Sequence, residues 1–121
     1  GKGNRGVGRM IYDIRYSQEA LEDLDNVWDD VFNASLDIDT ADKYVTGILQ
    51  SKKEKEKIPK TGIPLRFAGE FTGIYFVVYK KYNVFYRIAD SQIEVARILY
   101  GASDYMKELF GKSEYEPDDE E

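Results

Sequence analysis

The sequence predicts an α+β fold: an N-terminal strand, a two-helix hairpin, then antiparallel sheet strands and a short C-terminal helix. Three observations carry this. Two stretches with apolar residues at helical spacing come first, between Ser17 and Lys57. Three stretches rich in aromatic and β-branched residues follow, between Gly73 and Leu99. The links between those strands are too short for the helical crossovers that parallel neighbours need. Helices grouped ahead of a strand run pack as a layer on an antiparallel sheet.

Each element has its own local reason. Ile11–Tyr16 alternates Ile11, Asp13 and Arg15 against Tyr12, Ile14 and Tyr16, the period of a strand. Ser17 is an N-cap candidate, and Glu19 in the first turn suits the helix dipole. Leu21, Leu24, Trp28 and Val31, widened by Ala20 and Val27, form the apolar stripe of a first helix over Ser17–Asn33, with Trp28 expected to be largely buried. Asp23, near its start, reads as a capping or dipole residue. Asn33-Ala34-Ser35 interrupts the pattern. Asp39 or Thr40 caps a second helix, whose stripe is Ala41, Tyr44, Val45, Ile48 and Leu49. The run KKEKEK at 52–57 extends it as a solvated turn, and Pro59 stops it. Leu65-Arg66-Phe67 is a short strand within a loop. Gly73–Lys80, Tyr82–Ile88 and Gln92–Leu99 are strands, with a turn within Lys81-Tyr82-Asn83 and a short connection at Ala89-Asp90-Ser91. Met106, Leu109 and Phe110 mark a last short helix ending at Gly111.

At 121 residues the chain is one domain, 42% hydrophobic and 33% charged. Residues 10–112 form that domain. Residues 1–9 (GKGNRGVGR) and 113–121 (SEYEPDDEE) have too little apolar surface to offset their ordering entropy. The first of these tails reads as flexible and partly tag-derived. With no cysteine and no histidine, disulfides, thiolate or imidazole metal sites, Ser-His-Asp triads and imidazole acid–base chemistry are all excluded. No cofactor or metal is expected. No apolar run approaches the ~18 residues of a membrane span, so a cytoplasmic protein without a membrane partner is expected. The formal net charge of −6 is unevenly spread: +3 over 1–9, −9 over 10–42, +6 over 43–112 and −6 over 113–121. A basic second half can face nucleic acid or an acidic protein, although a solvated face explains any one lysine cluster as well.

Three segments, in this order, resemble the RelE/ParE superfamily of bacterial toxins from type II toxin–antitoxin systems. Tyr16-Ser17-Gln18-Glu19-Ala20-Leu21-Glu22-Asp23-Leu24 is similar to the family's Y-S-x-x-A-x-x-D-L entry into its first helix. Tyr82–Ile88 (YNVFYRI) is similar to its aromatic central strand, and Val95–Tyr105 (VARILYGASDY) to its closing strand and V-L-H-G-R-R-D-Y segment. The resemblance spans Ile11 to Phe110. It implies a toxin neutralised by a cognate antitoxin, a role in plasmid stabilisation, and one of two actions. ParE-like members inhibit DNA gyrase by binding it; RelE-like members cleave messenger RNA on the ribosome. A non-toxic relative kept as a binding module is the third reading, and a homodimer is also open.

Against the nuclease pattern, Asn83 stands where an arginine is expected, Ala102 and Ser103 where a basic pair is expected, and Tyr100 where a histidine is expected. Neither asparagine nor serine replaces the planar phosphate clamp of a guanidinium. Target binding is therefore the favoured action. If there is a nuclease centre, Arg87 is the phosphate-stabilising candidate, since strand periodicity puts it on the face of Asn83, and Tyr105 is its companion. A tyrosine there needs local basic charge to act near neutral pH. Arg66, Lys80, Lys81, Arg97 and Tyr100 are the candidates for target or RNA binding, with cross-sheet ion pairing the alternative role for Arg87 and Arg97. Tyr86 reads as core.

Overall fold

The computed structural model describes residues 13–53 and 62–111. The tails, Ile11 and Tyr12, and the expected extension of the second helix over 54–57 with its stop at Pro59 lie outside the described residues. The element order is β1 (Asp13–Tyr16), α1 (Gln18–Ser35), α2 (Ile38–Lys53), β2 (Ile63–Phe67), β3 (Glu70–Tyr79), β4 (Tyr82–Ala89), β5 (Gln92–Tyr100) and α3 (Tyr105–Phe110). The strands form one sheet in the order β1-β5-β4-β3-β2. The four strands β2 to β5 are antiparallel, as expected. β1, however, pairs parallel to β5, Asp13 opposite Gln92 through Tyr16 opposite Val95, so the sheet is mixed at that edge. The helical hairpin between β1 and the later strands supplies the long connection a parallel pair requires.

Ser17 caps α1 by accepting from Ala20 N at 3.0 Å. The helix runs through Asn33-Ala34-Ser35 rather than breaking there, and ends at Leu36, whose left-handed backbone (φ 57) lets its N–H donate to Phe32 O. Asp37, not Asp39 or Thr40, starts α2: its carboxylate accepts from Asp39 N at 3.3 Å and from Thr40 Oγ1 at 2.7 Å. The β3–β4 turn is Lys80-Lys81, because Tyr79 pairs with Tyr82; it lies one residue before the expected turn. Asp104 caps α3 and Gly111 ends it at φ 84.

The sheet carries a core on each face. Val84, Val95 and Ile98 pack with Ala20, Val27 and Ile48 beneath the hairpin. Leu65, Ile74 and Phe85 pack on the opposite face, where Met106, Leu109 and Phe110 of α3 cover them. Trp28 is largely covered, as its place on the stripe implied, but not fully enclosed. It stacks on Phe32 at 5.3 Å, and its indole N–H donates to Asp42 Oδ1 at 2.8 Å at the surface. Tyr86 is fully buried, as its aromatic strand context implied.

The outer edge of β5 is managed by side chains. β1 covers only Gln92–Val95, and the register then passes from Tyr86–Val95 to Phe85–Arg97, leaving Ala96 as a bulge. Beyond β1, Ser17 N donates to Val95 O at 3.0 Å, Ser17 Oγ donates to Ala96 O at 2.7 Å, and Ile98 N donates to Asp23 Oδ2 at 2.9 Å. The start of α1 thus satisfies backbone groups that an open edge would leave unpaired.

Candidate functional site

The proposed site residues fall into two separated groups and two outliers. The first group sits where the β3–β4 turn meets the end of β5. Gly101 N donates to Lys81 O at 2.7 Å, which brings Tyr100, Gly101 and Ala102 beside Lys80 and Lys81. Asn83, only 7% exposed, lies on the α3 side of the sheet there, opposite Val78 and Leu99. A shallow cleft of about 380 Å³ opens over Phe76, Val78, Lys80, Lys81, Asn83, Tyr100, Gly101 and Ala102. Ser103 takes no part in it; its hydroxyl donates to Tyr100 O at 2.6 Å and closes the turn.

Lys80, Lys81 and Tyr100 also border a larger cleft, about 710 Å³, on the helical side of the same turn. Asp30, Val31, Ala34 and Ser35 of α1, Thr40 and Tyr44 of α2, and Tyr82 complete its lining. Its walls are aromatic. Tyr44 meets Tyr79 edge-on at 5.5 Å and Tyr82 at 5.8 Å, and Tyr82 meets Tyr100 at 5.8 Å. The Lys80 ammonium lies over the rings of Tyr44 and Tyr79, 5.4 and 5.6 Å from their centres, within cation–π range. Burial, reinforced by the Asp30 carboxylate 3.4 Å from its hydroxyl, pushes the Tyr82 phenol up to about 12. Tyr82 is therefore a hydrogen-bond donor and an apolar wall near neutral pH, not a proton acceptor. Sequence reasoning missed this cleft. Asp30, Val31 and Ala34 share a helix face at i, i+1 and i+4, but nothing local links that face to Tyr82, 52 residues away from Asp30.

The second group is a charged cluster on β4, β5 and both flanking layers. Arg97 is held by Asp23, with Nε 2.8 Å from Oδ2 and Nη2 3.1 Å from Oδ1, and Glu108 of α3 lies 3.9 Å from Nη1. The Asp23 hydrogen bonds hold the guanidinium pKa above its ordinary value. Asp23 is no cap: 7% exposed, it joins α1 to β5. Arg87 is exposed and pairs with Glu94 at 3.4 Å. Both guanidiniums thus have carboxylate partners, the alternative role weighed for them above. Glu19, Glu94 and Glu108 share with them a cleft of about 460 Å³. Tyr105 does not line the cleft of Arg87; it is half-buried with its ring 5.3 Å from Phe85. Arg66 is exposed on the edge strand β2, at the opposite side of the sheet from β5.

Among the described residues no group of histidine, cysteine, aspartate or glutamate could hold a metal ion, and no helix is long and apolar enough to cross a membrane. Residues 14–105 match the family described as ParE toxin of type II toxin-antitoxin system, parDE. No curated protein sequence matches the chain. Among solved structures, the chromosomal ParDE system of P. aeruginosa aligns at 18% identity and a TM-score of 0.62, covering 74% of this chain and 96% of that one. A YoeB/ParE toxin from Agrobacterium tumefaciens aligns at 14% identity and a TM-score of 0.52, over 73% and 96% of the two chains. YafQ from E. coli aligns at 17% identity and a TM-score of 0.50, over 83% and 99%. At these identities the structural likenesses speak to fold.

Proposed function

The chain belongs to the ParE toxin family of type II toxin–antitoxin systems, and from that premise we propose that it is the toxin of such a pair and acts by binding a protein target. The observation that carries this reading is the state of its cations. Arg97 is spent on Asp23, and Arg87 faces Glu94 with Glu108 beside the same cleft. A phosphate entering there meets carboxylates as well as guanidiniums, which opposes the stabilisation of transition-state charge. Lys80 and Lys81 stand at the other group, with neutral Asn83, Gly101 and Ala102 as neighbours. Two exposed ammoniums beside a half-exposed tyrosine and an open valine suit a docking surface for an acidic protein patch.

Among targets, DNA gyrase is the one the family resemblance implies. A cognate antitoxin neutralises the toxin by covering it with an extended or helical segment; the ParDE assembly of P. aeruginosa supports such a partner. The acidic stretch 10–42 and the basic stretch 43–112 call for basic antitoxin residues over the hairpin and acidic ones over the sheet.

Induced expression tests the reading. Wild type is expected to arrest growth with intact transcripts and accumulated gyrase–DNA breaks, and the variant Lys81→Glu with Tyr100→Ala to relieve arrest at equal soluble level. Codon-positioned transcript cuts that vanish in Arg87→Ala or Tyr105→Phe would establish a ribosome-dependent nuclease instead. No arrest at good soluble expression would leave a binding module.

A further inference from the structure

The tip of the α1–α2 hairpin combines two costs at one place. Leu36 is 77% exposed and holds a left-handed backbone at φ 57, a position that glycine or asparagine fills with less strain. Ile38, next but one, is 59% exposed. The left-handed backbone is offset by the Leu36 N–H closing α1 on Phe32 O, but among the described residues nothing covers the two apolar side chains, and such exposed apolar groups at a hairpin tip point to a partner. Asp37 and Asp39 alternate with these two residues; Asp37 caps α2 and Asp39 also pairs with the exposed Lys43 at 3.3 Å, so the tip presents apolar knobs set between exposed carboxylates.

The large tyrosine-walled cleft has the matching features. It is about 710 Å³, walled by Tyr44, Tyr82 and Tyr100, with Lys80 and Lys81 among its lining residues. Among the described residues neither lysine forms an ion pair. Knob and cleft also adjoin on one molecule: Ser35 and Thr40, which flank the tip, are themselves cleft residues. A patch holding both a projection and its complement satisfies the condition for an isologous contact, in which each copy gives and receives the same side chains about a two-fold axis.

We propose that this chain forms a symmetric dimer with a second copy of itself, Leu36 and Ile38 of each protomer entering the tyrosine-walled cleft of the other and Asp37 and Asp39 facing its lysines. The dimer covers Lys80, Lys81 and Tyr100, so it competes with target docking. That consequence rests on the function proposed above, whereas dimer formation does not.

The test is sedimentation of the full chain across a concentration series, with no target present. Wild type is expected to dimerise with a dissociation constant on the order of 10 μM, as for a small interface. Leu36→Asn, which suits the left-handed position, should retain the fold by circular dichroism and weaken the dimer about tenfold through lost apolar burial. Lys81→Glu and Asp39→Lys should each weaken association alone. Their equimolar mixture should recover it, because one half of the mixed interface keeps the original charges and the other exchanges them. A chain that stays monomeric to about 1 mM overturns the proposal, whether the cleft is empty, filled by residues 113–121 or reserved for another protein. So does a dimer indifferent to Leu36→Asn, or a mixture no better than its components.

Discussion

Asp23→Ala separates the structural account of Arg97 from a functional one. In the wild type the Asp23 carboxylate accepts from Arg97 Nε at 2.8 Å, from Arg97 Nη2 at 3.1 Å and from Ile98 N at 2.9 Å. Its side chain is 8% exposed and that of Arg97 24%. Truncation leaves the buried Ile98 N–H without its acceptor, costing about 1–3 kcal/mol. It also strands a guanidinium that is only partly reached by water, adding about 1–2 kcal/mol after allowance for that exposure and for Glu108. We expect a total near 3–4 kcal/mol, a large share of the ~5–15 kcal/mol by which a domain is stable. Arg97→Ala should cost less, about 2 kcal/mol, because Asp23 keeps the Ile98 bond. The two changes should couple by about 1–2 kcal/mol in a double-mutant cycle. Denaturant unfolding followed by far-ultraviolet circular dichroism measures all four chains. A loss below about 1 kcal/mol for Asp23→Ala, or additive costs, would refute the reasoning. Arg97→Ala that abolishes growth arrest with unchanged stability would make Arg97 a contact residue instead.

Three further outcomes follow from the tyrosines. Burial pushes Tyr82 and Tyr86 up to about 12, so the folded chain keeps protons that the unfolded chain releases above about pH 10; the stability involved is complete below that pH and is lost as pH rises toward 12, at about 2–3 kcal/mol for each group. Denaturant midpoints measured across that window should fall, and Tyr82→Phe should flatten part of the slope; an unchanged slope in that variant contradicts the assignment. Gly62→Ala would drive a Cβ into the hydroxyl of Tyr86, which is fully buried and cannot swing aside, costing about 3 kcal/mol. Gly47→Ala meets the hydroxyl of Tyr79, which is only half-buried and can turn outward, while the helix gains about 1 kcal/mol of propensity, so its net effect should lie within about 1 kcal/mol of zero. Equal losses in thermal denaturation would show that the two rings do not differ in freedom.

Local pattern determined most of the elements. The stripe of Ala20, Leu24, Val27 and Val31, from which Leu21 departs by being 45% exposed, the aromatic and β-branched runs of β3 to β5, and the Gly111 stop are each readable from one element, which a period in sequence can carry. The same pattern held the resemblance to the toxin family. Tertiary structure decided what joins elements. The parallel pairing of β1 with β5, the Ala96 bulge and the Lys80-Lys81 turn depend on cross-strand register, which alternation alone leaves open by a residue. Trp28 lies on the apolar stripe yet keeps one edge in water, because its indole N–H takes Asp42 from the neighbouring helix. Asp23 looked like a helix-start acid because its partners, Arg97 and Ile98, lie 74 and 75 residues away. The candidate site divides for the same reason. Lys80, Lys81 and Tyr100 meet because β5 ends beside the β3–β4 turn, and Arg87 and Arg97 pair with carboxylates brought by other segments. Which cation stays available to a partner is set by the charges folding places next to it, and a linear sequence does not contain that distance.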